Sequence, residues 1–330
     1  MRNRKLMTLA AGATAMLMSA GAAMAQADRS DWPKSFTVGT ASQGGTYFTY
    51  GSGWANLVAK ELGITGSAEV TGGPMQNMAL VSTGDLPFGM TTMGPARESM
   101  DGENPIAPGV PLTNACAMFP MYTTPFSVTV LSSSGINSIA DIKPGARIGF
   151  GPAGSSSDTY FPKMLEELGV KFDRRNGGWS DLAGQLQDGL IDVVAFAAGV
   201  PVPAVSQLEV QTDINIIPFT EQEQAKIVKA FPVAAQEIPA GTYKSLTEPA
   251  RSVSMWNFAI ANCDLPESFV YETVKTVMGD HDRMVGIHKA ATETTVANAD
   301  KNTFMPWHPG AAKWFNENGA NISPDLVHKK

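Results

Sequence analysis

Phe36-Thr37-Val38-Gly39-Thr40-Ala41-Ser42-Gln43-Gly44-Gly45-Thr46-Tyr47 decides the fold class. The stretch starts as a short strand and ends in a glycine turn that opens a helix. Trp54, Leu57, Val58 and Leu62 follow at i, i+3, i+4 and i+8 on one helical face, and Gly63 is placed to end the helix. The order then repeats. A strand through Ala68 and Val70 meets a second glycine turn, Thr71-Gly72-Gly73-Pro74. A helix carries Met75, Met78 and Ala79, and Gly84-Asp85 breaks it before the apolar run Leu86 to Met90. Strand, glycine turn and helix in alternation predict an α/β sheet.

The pattern restarts further on. A β-rich run from Phe126 to Leu131 ends in Ser132-Ser133-Ser134-Gly135, and a strand is expected at Arg147 to Phe150. The small-residue loop Gly151 to Asp158 then leads to a helix with Phe161, Met164, Leu165 and Leu168 inward and Gly169 at its end. Ser180 reads as the cap of a helix through Leu182 and Leu186, and Asp188-Gly189 precedes the apolar strand Ile191 to Ala198. The halves share an order of elements without a sequence repeat. The last third adds strands at Ile214 to Pro218 and Val253 to Ala261, and a helix from Pro266 to Met278 with Phe269, Val270, Val274 and Val277 inward. One more helix is expected between Asp282 and Ala297, and a turn around Trp307-His308-Pro309-Gly310.

Before all this stands a three-part leader. Arg2, Arg4 and Lys5 precede an apolar stretch from Leu6 to about Met18, and Ala23-Met24-Ala25 gives the small-x-small pattern of a cleavage site. Residues 1–25 therefore read as a signal peptide cleaved near Ala25, since the apolar run is shorter than the ~20 residues of a spanning helix. The leader holds three of the 24 basic residues and none of the 31 acidic ones, so the remainder carries 21 against 31, a net charge of −10. An acidic surface argues against nucleic acid or anionic lipid as partner. About 305 remaining residues suit two lobes with a cleft between them. Cys116 and Cys263 are expected as buried small side chains, with a disulfide between them as the alternative in an oxidising compartment.

The glycine turns are the candidate ligand contacts. At Gly44-Gly45-Thr46-Tyr47 a helix N-terminus would present unpaired N–H groups and about half a positive charge, which suits a carboxylate. Gly154-Ser155-Ser156-Ser157-Asp158-Thr159 repeats the argument from the second half, with Asp158 read as the helix cap rather than a general base. Thr71-Gly72-Gly73 with Gln76 and Asn77 is a third candidate. Gly199-Val200-Pro201-Val202-Pro203 would give a stiff wall between the lobes. Arg97, just past the strand ending at Met90, stands where a strand's C-terminal end would face the crevice of an open sheet. Catalytic and metal patterns do not assemble. Gly154-Ser155-Ser156-Ser157-Asp158 does not fit G-x-S-x-G, no phosphate loop occurs, and His281, His288, His308 and His328 lack zinc-site spacing. No cofactor or metal is expected, and His308 reads as a local structural residue.

Taken in order, Val38-Gly39-Thr40, Gly44-Gly45-Thr46-Tyr47, Thr71-Gly72-Gly73 with Asn77, Ser82 to Gly84-Asp85 and Ser138 to Gly145 make a family pattern. Gly189 to Asp192, Gly199-Val200-Pro201, Ile238 to Tyr243 and His308-Pro309-Gly310 continue it. The chain resembles the TAXI family, the solute-binding subunits of one branch of TRAP transporters, over nearly all of its length after the leader. The resemblance implies an α/β, type II periplasmic-binding-protein fold with two lobes joined by hinge strands. Lobe I would comprise residues 26–131 and 235–330, and lobe II residues 132–234. It implies capture of a small organic anion (glutamate, 2-oxoglutarate or a related dicarboxylate) outside the membrane and delivery to TRAP-type permease subunits; with the signal peptide, the chain is expected in the periplasm, as a monomer. Implied contacts are Gly45, Thr46, Tyr47, Asn77, Gly154, Ser155, Ser156 and Ser157. The pattern departs after Met90, where Thr92-Met93-Gly94-Pro95 replaces a Gln-Ser-Asp type of stretch; this leaves a neutral or differently sized ligand as an alternative, and Thr92 joins Arg97, a carboxylate-binding residue type, and Gly199 as candidate ligand contacts. Alternatives are a solute-binding protein for another transporter or a sensor kinase, and an enzyme on the same fold using Asp158 or His308.

Overall fold

Strands alternate with helices through residues 29–329, which the computed structural model describes; the expected leader at 1–25 lies outside the described residues. The first unit runs β1 (Ser35–Gly39), α1 (Thr46–Leu62), β2 (Thr65–Glu69), α2 (Pro74–Thr83) and β3 (Phe88–Thr92), as the alternation predicts. Gly63 ends α1 in the left-handed conformation with its N–H on Ala59 O, and Gly84 does the same for α2 on Val81 O. A helix that the sequence reading did not include, α3 (Met93–Met100), follows β3 directly.

Two long strands tie the molecule together. The first half of β4 (Ala115–Leu131) pairs antiparallel with β10 (Ala250–Asn262), which pairs on to β3, and β1 pairs parallel with both β3 and β2. The second half of β4 belongs to another arrangement. Phe126 to Thr129 pair with β7 (Val193–Ala197), and Val128 to Leu131 with β8 (Ile214–Ile217). β5 (Ala146–Gly149) joins β7 to β6 (Phe172–Arg175) in parallel, and β9 (Ala234–Ile238) pairs with the start of β10. β4 and β10 thus pass continuously from one lobe to the other.

Each lobe has its own core. In the first, Trp54 meets Phe88 and Phe119 edge-on, each at 5.8 Å, and α8 (Glu267–Met278) buries Phe269, Val270, Val274 and Val277 against them as expected. In the second, α4 (Ser156–Glu167) covers one sheet face with Phe161, Met164 and Leu165, while α5 (Trp179–Gln187) and α6 (Pro203–Gln211) cover the other. α7 (Glu221–Ala230) adds Ile227 to the first of these faces. Packing with the second lobe continues beyond residue 234. Ile238, Tyr243, Leu246, Ala250, Val253 and Met255 all join its clusters, so the chain returns to the first core only along β10.

Three local expectations change. Cys116 and Cys263 are joined in a disulfide between β4 and the residue after β10, because those strand ends lie side by side with Cα atoms 5.2 Å apart. The helix expected over Asp282–Ala297 is split into α9 (His281–Ile287) and 3₁₀ turns at Lys289–Glu293 and Val296–Lys301, since His288 turns extended at φ −154. The expected turn at Trp307–Gly310 opens α10 (Pro309–Glu317), with Pro309 in the first turn and His308 as its cap. Among the described residues no helix is long and apolar enough to cross a membrane.

Candidate functional site

The two lobes meet around a narrow cavity, with about 30 Å³ open to the centre of a water-sized sphere. The first lobe contributes Ala41, Gly45, Thr46, Tyr47 and Pro74; the second contributes Ser155, Ser156, Trp179, Ala197 and Ala198; Thr124 and Asn257 come from the connecting strands. The walls are helix starts. Gly45 caps α1, Pro74 begins α2, Ser155 caps α4 and Trp179 begins α5. Strand ends deliver the chain to these points. The first turns of α1 and α4 bring N–H groups to the cavity from both lobes, whereas Pro74 has none to offer, Met75 N donates to Gly154 O and Trp179 N donates to Ser42 Oγ.

Close approach explains the glycines of the first turn. Gly44 is left-handed at φ +81, and a Cβ there would lie 2.5 Å from Ser180 Oγ across the cleft. A Cβ on Gly45 would lie 2.7 Å from Trp179 Cδ1. Ser180 sits inside the first turn of α5 rather than capping it; Gly178 takes the cap position.

Hydrogen bonds bind the lobes directly. Thr46 Oγ1 donates to Gly199 O, the hydroxyls of Thr92 and Ser156 meet at 2.5 Å, and Ala204 N donates to Gly44 O at 3.0 Å. Tyr160 donates to Glu98 Oε1 at 2.8 Å, and the His288 ring reaches Pro201 O at 3.1 Å. Under the cavity, Tyr47 donates to Asn257 Oδ1 (2.7 Å), and the Asn257 amide nitrogen donates to Tyr122 O and to Thr124 Oγ1 (both 2.7 Å). Asn257 stands at a register shift between β10 and β4, so it links α1 to both connecting strands. Burial pushes the Tyr47 hydroxyl well above its ordinary range, with Thr92 beside it working the other way, so Tyr47 is a neutral donor.

Of the candidates, Gly45, Thr46, Tyr47, Ser155 and Ser156 are brought together on the cavity wall. The others are placed elsewhere. Asn77 is fully buried, with its amide donating to Thr40 O (2.9 Å) and Met90 O (2.8 Å) and its oxygen against Thr71 Oγ1 (2.7 Å). It fastens the ends of β1 and β3. Gln76 closes its own turn by accepting from Gly72 N (2.6 Å). Ser157 donates to Ala195 O, Gly154 holds the left-handed turn before α4 at φ +82, and Gly199 takes the Thr46 bond. Thr92 is not part of the wall itself and meets the Ser156 hydroxyl from the first lobe. Arg97 lies away from the cavity, with its side chain 54% exposed beside Asp101 and its guanidinium over the Phe304 ring.

The cap of α4 is Ser155, whose Oγ accepts from Asp158 N (3.1 Å); Asp158 lies in the first turn, accepts from Gly154 N (3.0 Å) and pairs with Arg174. A serine three positions nearer the loop supplies the geometry a cap needs, which displaces the aspartate reading. His308 caps α10 through Nδ1, which accepts from Gly310 N (3.2 Å), and its Nε2 faces Leu265 O (3.1 Å). The metal-like group found among the described residues is Cys116, Cys263 and His328, whose two sulfurs are bonded to each other.

Sequence reasoning missed Trp179, Thr124 and Asn257. Asn257 did carry a signal, as an amide in the middle of the apolar run Val253 to Ala261.

Two lobes, shared long strands and a cavity of helix starts define a class: the type II periplasmic-binding-protein fold. Solved structures agree on it. Rpa4515 of R. palustris, seen with adipate, is 18% identical with a TM-score of 0.56, over 79% of this chain and 89% of that one. A periplasmic transporter is 13% identical with a TM-score of 0.53, over 87% and 93%. The periplasmic binding protein BugD is 13% identical with a TM-score of 0.52, over 86% and 88%. Within this class the chain belongs to the NMT1-like family, whose model matches residues 38–319.

Proposed function

We propose that this chain is a non-enzymatic solute-binding protein that captures a small organic anion in the cleft and delivers it to a membrane permease. The observation that carries the reading is the pair of helix starts, α1 from one lobe and α4 from the other, facing one cavity that direct bonds hold closed. Such N-termini favour negative charge through their partial positive charge and free N–H groups. A ligand that bridges them favours the closed state by its differential affinity for closed over open, with β4 and β10 as the hinge. The permease is of the TRAP type that the TAXI resemblance implies, and the site of action is the periplasm after cleavage near Ala25.

Small-angle scattering of residues 26–330 tests this, together with ligand recovery. The panel holds short monocarboxylates, amino acids including glutamate, and dicarboxylates including 2-oxoglutarate and adipate, the compound seen with the structural neighbour. A binding member should reduce the radius of gyration, raise the Tm and be recovered unchanged. Recovery of an altered compound would replace the carrier by an enzyme. No contraction with any member would remove the carrier reading altogether.

A further inference from the structure

We infer that the solute is a monocarboxylate without an ammonium group, a narrowing that rests on the solute-binding reading and departs from the dicarboxylates implied by resemblance. The argument is a count of what the wall can offer. The first-turn N–H groups of Thr46 and Tyr47 on α1, and of Ser156 on α4, belong to the wall and have no partner in their own helices by position. These three donors, supplied from both lobes, suffice for the two oxygens of one carboxylate and leave none for a second.

Beyond these donors the wall's polar groups are largely committed to one another. Thr46 Oγ1 donates to Gly199 O, and the Thr92 and Ser156 hydroxyls face each other. Tyr47 donates to Asn257, whose two amide hydrogens go to Tyr122 O and Thr124 Oγ1. A second carboxylate in the closed cleft would break these bonds or be buried without donors. Either is costly, because an unpaired charge loses its hydration with nothing in return.

The same wall rejects an ammonium group. Among the described residues, none of those lining the cavity carries a charge. Two carboxylates lie two residues from a lining residue: Asp158 is already taken by Arg174, Asn176 and the Gly154 N–H, and Asp181 is exposed in the first turn of α5 and is not part of the wall. What remains for the rest of the ligand is Ala41, Pro74, Ala197, Ala198 and the indole of Trp179, a surface for a short tail rather than a second charge.

The test is a titration of residues 26–330 followed by calorimetry and by the fluorescence of the protein's tryptophans, Trp179 in the wall among them. Probes are butyrate and pyruvate, succinate and 2-oxoglutarate, and alanine and glutamate. A monocarboxylate should bind at least ten-fold more tightly than every dicarboxylate and amino acid in the set. Tighter binding of succinate, 2-oxoglutarate, alanine or glutamate overturns this inference and leaves the solute-binding reading standing. Absence of binding by all six, with no scattering contraction across the wider panel, removes both.

Discussion

His288 donates from Nε2 to Pro201 O in the other lobe (3.1 Å), while its Nδ1 accepts from Ala290 N (3.1 Å). An accepting Nδ1 fixes the neutral tautomer with the proton on Nε2. Burial holds this imidazole below its ordinary 6.5, with the Pro201 bond working the other way. The folded chain therefore takes up the proton less readily than the unfolded one. The stability His288 contributes is complete above pH 6.5 and is lost as pH falls through its lowered folded value. Thermal melts from pH 8 to pH 5 should show the Tm falling on the acid side, with a shallower fall in His288→Gln; equal slopes would remove His288 from the titration. Residue type alone hid such roles. Asn77 looked like a ligand amide because it follows a glycine turn, yet its hydrogen bonds go to Thr40, Met90 and Thr71, partners that only the sheet assembles.

The start of α4 separates two serines by what each touches. Ser155 Oγ caps the helix by accepting from Asp158 N, so Ser155→Ala should lower unfolding stability by about 1 kcal/mol in urea titrations. Ser156 Oγ meets Thr92 across the cleft, so Ser156→Ala should weaken ligand binding by about five-fold, near 1 kcal/mol, with a smaller change in stability. Calorimetry and urea melts on each variant check the split, and an exchange of the two effects would refute it. Helices with clear apolar spacing were legible, as α1, α4 and α8 show. α3 was not, because Gly94 and Pro95 in its first turn look like a loop. α10 was read as a turn for a similar reason, although proline in the first turn is compatible with helix because its missing N–H is not needed there. The break at His288 depends on a ring contact to Pro201, which no local pattern encodes.

Closure is a property of the two lobes together, and the tightness of their meeting makes it testable with one methyl group. A Cβ on Gly72 would lie 2.8 Å from the Ala153 carbonyl oxygen of the opposing lobe, closer than real Cβ contacts come. The other near atoms belong to the flexible Gln76 side chain at 3.1 Å and beyond, and the backbone at Gly72 is not in the left-handed region. Gly72→Ala should therefore leave the first lobe intact and hold the lobes apart. The Gly154 carbonyl, which accepts from Met75 N at 3.4 Å, would be pulled from its partner by the same displacement. Opposition is to the closed state alone, so the expected signature is a radius of gyration that no longer contracts with ligand and an affinity at least ten-fold weaker, a shift of about 1.4 kcal/mol. Urea unfolding should change by less than about 1 kcal/mol, since no core contact is lost. A variant that binds and contracts like the parent would show that the lobes need not approach this closely, and the cavity described above would then be tighter than the one the ligand occupies.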